Sequence, residues 1–201
     1  RAALERCQAL LNEGRRIAED AEVSAVPALR TYAFLTARPI LVVANVADRD
    51  AGTATDAVRA RYGLPVRGLP SFACCAQVEA EVQELPEEDR PDFLEAMGIR
   101  EPALDVVIRQ VYDALGLMSF LTAGEDECRA WTIRKGTPAP RAAGAVHSDI
   151  EKGFIRAEII NYDEFVALGS EAAAKKAGKY RLEGRDYVVQ DGDIVHFRFN
   201  I

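Results

Sequence analysis

The chain has 201 residues and a formal net charge of −7, with 49% hydrophobic and 28% charged residues. A chain of this size and composition can bury the core of one or two globular domains, which excludes disordered and collagen-like classes. No run approaches the roughly 18 apolar residues of a membrane span, and the first residues show no basic-then-apolar signal pattern.

Charge is distributed unevenly along the chain. Residues 1–128 contain 13 Arg, no Lys and 22 acidic residues, a net charge of −9, whereas residues 129–201 carry a net charge of +2. This break predicts a domain boundary near residues 118–130. The second part could face nucleic acid, or its charges could simply be solvated.

Apolar periodicity predicts the elements of the first part. The predicted helices cover residues 1–20, 24–37, 53–62, 79–97 and 101–115, and the predicted strands cover residues 40–44 and 69–76. Ser24 is expected to cap the second helix, Gly63 to end the third, and Pro86 to interrupt the acidic fourth. The first strand is expected to be buried on both faces, because its apolar residues do not alternate with polar ones.

Strand, helix and strand within about 45 residues predict a right-handed βαβ unit with parallel strands. Ligands of open parallel sheets bind at the carboxyl ends of the strands. Asn45 and Asp48 follow the first strand, and Cys75, Ala76 and Gln77 follow the second. We therefore expect the two loops to share one rim, with space for a nucleotide base between them.

The pattern Asn-x-x-Asp has a specific chemistry at such a rim. The amide of Asn45 can donate to N7 of a purine, and the carboxylate of Asp48 can accept two N–H groups from the pairing edge of guanine. A second interpretation remains open, in which both side chains only cap a turn and the next helix.

A phosphate-binding loop of the form Gly-x-x-x-x-Gly-Lys-Ser/Thr does not occur in the 201 residues. Gly178 and Lys179 are followed by Tyr180, which does not fit the pattern. The chain begins at Arg1 without a methionine, which is typical of a fragment.

The four cysteines are Cys7, Cys74, Cys75 and Cys128. Because they form no C-x-x-C pair, small buried thiols are expected for Cys74 and Cys75. A reducing, cytoplasmic setting is consistent with this.

The last third contains a second set of elements. Residues 130–133 and 154–160 alternate as half-buried strands, a short helix opens at residue 162, and residues 187–190 and 194–199 are predicted to form a hairpin around residues 191–193. Two hairpins around a helix predict a β-grasp fold. His147 is expected to cap or pack, with a ligand or base role as the alternative. Trp131 is expected to lie in the core, with base stacking as the alternative.

Three strings in this part resemble one family closely. TAGEDECRAWTIRKGT, HSDIEKGFIRAEI and YRLEGRDYVVQDGDIVHFRFN are similar to the C-terminal TGS domain of the YchF (Obg-like) ATPases. The resemblance extends upstream through FLTARPILVVANV and QVEAEVQEL. It therefore covers nearly the whole chain.

The resemblance implies an α/β protein in three parts. Residues 1–23 would end a helical coiled-coil arm, residues 24–118 would form the C-terminal part of a P-loop NTPase G domain, and residues 119–201 would form a ubiquitin-like β-grasp TGS domain. The phosphate loop of the family would lie upstream of Arg1. The complete protein would bind ATP or GTP with Mg²⁺, while the fragment alone would bind neither tightly and would be inactive.

The resemblance also assigns the base site. Asn45, Val46 and Asp48 occupy a loop that is Asn-x-x-Glu in the family and is associated with a preference for ATP. Cys75 and Ala76 occupy the second base-side loop. Asp48 replaces the family Glu and leaves GTP open, but Val46 stands where GTP-binding proteins carry a lysine along the base.

Two classes of function follow. In the first, the chain is the C-terminal part of an ATPase that acts at the ribosome. It would contact the ribosome or RNA through a basic face formed by Arg134, Lys135, Lys152 and Arg156. In the second, it is a non-enzymatic β-grasp module that binds RNA or protein, and the G-domain remnant is a scaffold.

Overall fold

A computed structural model of the chain describes residues 1–63, 68–124 and 127–200. The chain divides into two compact units, Arg1–Leu115 and Gly116–Ile201. Within the described ranges, no helix combines the length and the apolar character that crossing a membrane would require.

The first helix of the first unit is shorter than predicted. Helix α1 spans Ala2–Asn12, and Gly14 follows with a φ of +70°. Glycine adopts this left-handed conformation without steric cost, so the apolar pattern that continues to Ile17 does not continue the helix. Cys7 and Ile17 instead join a small cluster of buried side chains in this part of the unit.

The expected helix over residues 24–37 is wrong. A one-turn helix, α2, spans Ala21–Ser24, and Asp20 caps it by accepting a hydrogen bond of 3.0 Å from the backbone N–H of Val23. Two 3₁₀ segments follow, Pro27–Tyr32 and Leu35–Ala37. Proline at the start of the first segment lacks the N–H that would continue α2.

The predicted βαβ unit is confirmed. Strand β1 spans Val42–Asn45, helix α3 spans Thr55–Tyr62, and strand β2 spans Ser71–Cys74. The two strands are parallel and in register from Val42 opposite Ser71 to Asn45 opposite Cys74. Helix α3 ends at Gly63, which has a φ of 61°, as the sequence predicted.

Strand β1 is not buried on both faces, contrary to its apolar composition. Its residues alternate between half-buried and exposed, and Val43 is 47% exposed. Among the residues that the structure describes, β1 pairs with β2 alone, so the burial that its apolar residues would favour is only partly realised.

Three helices complete the first unit. Helix α4 spans Ala76–Glu84, α5 spans Arg90–Ala96, and α6 spans Ala103–Leu115. The predicted interruption of the acidic segment near Pro86 is therefore confirmed. Glu79 on α4 accepts a hydrogen bond of 2.9 Å from the backbone N–H of Ala103, which connects the start of α6 to α4.

The second unit contains a five-stranded sheet. Its strands are β3 (Leu117–Ala123), β4 (Cys128–Arg134), β5 (Phe154–Asn161), β6 (Arg181–Glu183) and β7 (Asp193–Phe199). Their order is β4-β3-β7-β5-β6, with β3 and β7 parallel and the other pairs antiparallel. This is the arrangement of a ubiquitin-like β-grasp sheet.

Four short helices lie along this sheet: α7 (Ala139–Val146), α8 (Ser148–Lys152), α9 (Tyr162–Leu168) and α10 (Glu171–Lys176). The main core includes Phe120, Ile159 and Phe197 together with α7. A second cluster, around Ile160 and Ala174, packs α9 and α10 against the other face. The sheet is therefore covered on both faces for part of its length.

The hairpin predicted around residues 191–193 is wrong. Residues 187–190 form no strand, and Val188 makes only an isolated bridge to Pro138. Strand β7 instead pairs with β3 and β5. The local alternation that suggested a hairpin cannot specify which distant strands supply the hydrogen bonds.

Asp193 is a buried carboxylate at the start of β7. Its side chain is 1% exposed and accepts hydrogen bonds of 2.7 Å from the Tyr187 hydroxyl and 2.9 Å from the backbone N–H of Gln190. Burial, together with the Asp193 carboxylate, raises the pKa of Tyr187 to about 12.

We expect this raised pKa to make the second unit sensitive to alkali. The pKa of an unfolded tyrosine is about 10, so Tyr187 contributes stability that is fully present below pH 10 and is lost as the pH rises towards 12. The test is urea unfolding at several pH values between about 9 and 12. In Tyr187→Phe, this part of the pH dependence should disappear; an unchanged profile would contradict the assignment.

Candidate functional site

The carboxyl ends of β1 and β2 meet at one rim. The side-chain Oδ1 of Asn45 accepts a hydrogen bond of 3.0 Å from the backbone N–H of Ala76, 31 residues later in the chain. The backbone N–H of Val46 also donates to the carbonyl of Cys74, at 2.9 Å. The loops that the sequence predicted to share a rim are therefore connected directly.

Asp48 lies in the loop after Asn45, at the start of a 3₁₀ turn that spans Asp48–Asp50. Asp48 is exposed, and its Oδ1 accepts a hydrogen bond of 2.7 Å from the backbone N–H of Arg49. A carboxylate that accepts one N–H still has lone pairs for further donors. Asp48 can therefore accept the N–H groups of a ligand.

Val46 has a packing role in the structure. Its side chain is partly buried against a cluster formed by Cys75, Val78 and Val82. Asn45 is exposed, and the next side chain along an extended backbone points to the opposite face. This packing accounts for an apolar residue at position 46.

Asp50, which the sequence analysis did not select, anchors this loop to α3. It is 3% exposed, accepts a hydrogen bond of 2.7 Å from the Tyr62 hydroxyl, and forms an ion pair with Arg61. The Tyr62 hydrogen bond, together with the charges of Arg61 and Arg49, holds the pKa of the Asp50 carboxyl below its usual value. The only local signal was an acidic residue two positions after Asp48.

Gly52 fixes the other side of the same loop. Its φ is +72°, and a Cβ at this position would lie 2.6 Å from the carbonyl oxygens of both Met97 and Gly98. Any side chain would therefore clash with backbone. With Asp50 fixed to α3 and Gly52 packed against residues 97–98, the loop that carries Asp48 is held on two sides.

A cavity of about 490 Å³ lies beside this rim, along β2 and the start of α6. Its lining includes Ser71, Cys74 and Gln110, but neither Asn45 nor Asp48. Of the predicted base-site residues, Cys75 lines this cavity, whereas Asn45 and Asp48 lie on the open rim beside it. Ser71 Oγ and Gln110 Oε1 are buried without a hydrogen-bond partner among the described residues.

The cysteines are free in the structure. Cys7 and Cys75 are buried, whereas Cys74 is only partly buried and Cys128 is exposed. Burial, with a smaller contribution from Glu79, raises the pKa of the Cys74 thiol. Cys74 is thus held as a neutral thiol at the rim, which does not favour nucleophilic chemistry.

His147 has the role expected from the sequence, whereas Trp131 is only partly buried and lies beside the main core. His147 Nδ1 accepts a hydrogen bond of 3.2 Å from the backbone N–H of Asp149, so His147 caps α8. Trp131 packs against the main core and donates from Nε1 to Thr122 Oγ1 at 2.9 Å. The guanidinium of Arg129 lies 4.3 Å from the centre of the indole ring.

Arg134 and Lys135 lie at the end of β4. Arg134 is opposite Leu117, and the backbone N–H of Lys135 donates to the carbonyl of Gly116 at 2.8 Å. Both are therefore beside the first residues of β3.

Lys152 and Arg156 lie at another place on the sheet. Arg156 on β5 is opposite Arg198 on β7. Lys152 ends α8 and precedes Gly153, whose carbonyl accepts a hydrogen bond of 3.0 Å from the backbone N–H of Asn200. This pair is therefore near the end of β7.

These positions divide the four basic residues into two groups. Leu121 on β3 is level with Ile194 on β7 in a parallel pair, so Leu117 lies four residues before this level and Arg198 four residues after it. At about 3.3 Å per residue, Leu117 and Arg198 are therefore roughly 26 Å apart along the strand direction. The structure therefore places Arg134 and Lys135 apart from Lys152 and Arg156, and a single basic face stays a prediction.

The first unit has parallel strands, an Asn-x-x-Asp loop, and a hydrogen bond that the backbone N–H of the neighbouring loop donates to that Asn, which is consistent with the C-terminal part of a P-loop NTPase G domain. A family model, YchF-GTPase_C, described as a protein of unknown function (DUF933), matches residues 117–200. The chain belongs to the YchF (Obg-like) family and corresponds to its C-terminal part.

Curated relatives match nearly the whole chain. It is 48% identical over 174 residues to "Ribosome-binding ATPase YchF" of Haemophilus ducreyi, covering 87% of this chain and 48% of that protein. It is 42% identical over 201 residues to the protein of the same name from Escherichia coli O157:H7, covering 100% and 55%. "Obg-like ATPase 1" of Homo sapiens is 41% identical over 185 residues, covering 87% and 45%.

A solved structure agrees with this assignment. The structure of the Schizosaccharomyces pombe YchF GTPase matches with a TM-score of 0.82 at 30% sequence identity, covering 98% of this chain and 53% of that chain. The chain therefore spans about half the length of the relatives that it matches.

Proposed function

We propose that the chain supplies base recognition and a C-terminal TGS binding module to a YchF-type NTPase. This NTPase binds and hydrolyses ATP, with GTP as the alternative, and acts at the ribosome in the cytoplasm. The observation that carries the proposal is the hydrogen bond between Asn45 Oδ1 and the backbone N–H of Ala76. The names of the curated relatives support the ribosomal role.

The geometry of the rim supports a division of roles for base recognition. Asn45 uses its Oδ1 on Ala76, which leaves its NH₂ group to donate to N7 of a purine. Asp48 presents an exposed carboxylate to the pairing edge of the base. Ala76 contributes by positioning Asn45. Val46 packs against the buried cluster that contains Cys75, and this packing supports the loop.

Phosphate and Mg²⁺ binding would depend on other parts of the protein. In residues 1–63, 68–124 and 127–200, no group of three or more His, Cys, Asp or Glu side chains is placed to hold a metal ion. Phosphoryl transfer in P-loop NTPases needs a lysine, Mg²⁺ and backbone amides around the phosphates. The 201 residues contain no Gly-x-x-x-x-Gly-Lys-Ser/Thr loop to supply this lysine and these amides.

The purified 201-residue chain is accordingly expected to hydrolyse neither ATP nor GTP. The measurement is phosphate release with Mg²⁺ present, compared with a blank without protein. An Asn45→Ala variant separates a contaminating enzyme from intrinsic activity, because only intrinsic activity would respond to a change at the rim. Turnover that exceeds the blank and falls in this variant would contradict the prediction.

For the ribosome or RNA contact, we propose the group formed by Arg134 and Lys135. With about two phosphate contacts, counterion release predicts that affinity falls roughly tenfold between 50 and 200 mM salt. A single face with all four basic residues would have given about a hundredfold. The measurement is binding of the chain to RNA or purified ribosomes at both salt concentrations.

The variants for this test are matched in charge. The double variant Arg134→Ala, Lys135→Ala is expected to lose most of the binding. The control, Lys175→Ala with Lys176→Ala, removes the same charge from α10 and should retain it. Equal losses in both would indicate a general effect of charge, and an absence of binding at either salt concentration would favour a protein partner.

A further inference from the structure

Two arginines of the second unit lie directly opposite each other. Arg156 on β5 and Arg198 on β7 form a pair in the antiparallel register. Directly opposite residues of such strands have Cβ atoms about 5 Å apart, and like charges at this distance are destabilising. A stable sheet tolerates this pair if other charges compensate it.

The surrounding charges compensate only one of the two guanidinium groups. Arg198 forms an ion pair with Glu158, two residues beyond Arg156 on β5. Among the described residues, Arg156 makes no hydrogen bond or ion pair, and it is exposed. The site therefore has one uncompensated cation next to a compensated one.

Apolar side chains flank this pair. Leu182 on β6 is opposite Glu158 and is 50% exposed. Ile155, at the irregularity in β5 between Phe154 and Arg156, is 53% exposed. We call Ile155, Arg156, Leu182 and Arg198 the Arg156 corner.

We propose that the Arg156 corner docks an acidic segment of a partner protein. One carboxylate between the two guanidinium groups would accept hydrogen bonds from both and neutralise Arg156. Apolar side chains of the same segment would cover Leu182 and Ile155. Arginine with flanking apolar surface is the composition that protein interfaces favour.

The composition of the Arg156 corner argues against RNA as its occupant. A single uncompensated cation provides little counterion release. The exposed Leu182 and Ile155 have no favourable partner in a phosphate backbone.

The inference rests on the proposed ribosome contact, so the test uses the 201-residue chain with purified ribosomes. A diazirine analogue of leucine replaces Leu182, and in a second preparation a diazirine analogue of lysine replaces Lys135. After irradiation, sensitivity to protease or ribonuclease identifies the cross-linked partner, and mass spectrometry identifies the cross-linked peptide.

We expect the probe at position 182 to cross-link a ribosomal protein through a peptide with acidic and apolar residues. Arg156→Glu should lower this yield by about tenfold or more. Arg141→Glu changes the net charge equally at an exposed position on α7 and should leave the yield unchanged.

Four results would overturn the inference. The first is a ribonuclease-sensitive product at position 182, which would identify RNA as the occupant. The second is an equal loss in both charge variants. The third is cross-linking at position 135 without cross-linking at position 182, which would leave the proposed function intact. The fourth is the absence of both products, which would contradict the proposed function as well.

Discussion

Replacing Phe120 with Ala is expected to lower the free energy of unfolding of the second unit by about 3–5 kcal/mol. Phe120 is fully buried in the main core, and its ring packs edge-on against Phe197 with centroids 5.8 Å apart. The loss combines the transfer free energy of the ring with the cavity that remains. Urea unfolding of the 201-residue chain, followed by the fluorescence of Trp131, measures it.

Phe199 provides the matched control in the same unit. It is the same residue type near the end of β7, but it is 42% exposed. Phe199→Ala should therefore cost much less than Phe120→Ala. Similar losses in the two variants would contradict the assignment of Phe120 to the main core.

The second large effect concerns the choice of base. In a chimera that joins this chain to the N-terminal half of a curated YchF relative, we expect ATP to bind better than GTP by a small margin. Asp48→Glu should widen this preference, and Val46→Lys should narrow or reverse it. One bidentate contact is worth about 1–3 kcal/mol, so shifts of roughly ten- to hundredfold in relative affinity are expected.

The control for this experiment is Asp56→Glu, the same substitution at an exposed position on α3. It should not change the relative affinities. Because Val46 packs against Cys75, Val78 and Val82, thermal unfolding must show that Val46→Lys remains folded. Unchanged relative affinities in folded Asp48→Glu and Val46→Lys would mean that this loop does not read the base.

The elements with strong local signals could be predicted from the sequence. The apolar run before Asn45, the glycine after α3 and the second apolar run predicted the βαβ unit, because parallel pairing follows from the short crossover connection. That connection also brings Asn45 and Ala76 to one rim. The prediction failed where local periodicity was ambiguous, as in residues 24–37, where Pro27 begins a 3₁₀ segment instead of a helix.

The family could also be recognised from the sequence, because the three strings of the last third are specific to it. The curated relatives and the family model confirm this membership. The predicted base-site residues Asn45 and Asp48 lie where the sequence placed them, at the carboxyl end of β1 and in the loop that follows it. Their function in base recognition stays a prediction.

Only the tertiary structure decided which distant residues meet. Asp50 is held by Tyr62 from the far end of α3, and Gly52 packs against Met97 and Gly98; neither contact leaves a periodic signal in the sequence. The pairing of β7 with β3 and β5 separates Arg134 from Arg156, and it places Arg156 opposite Arg198. Composition and periodicity describe the neighbours of a residue along the chain, whereas strand order and register depend on the packing of the whole core.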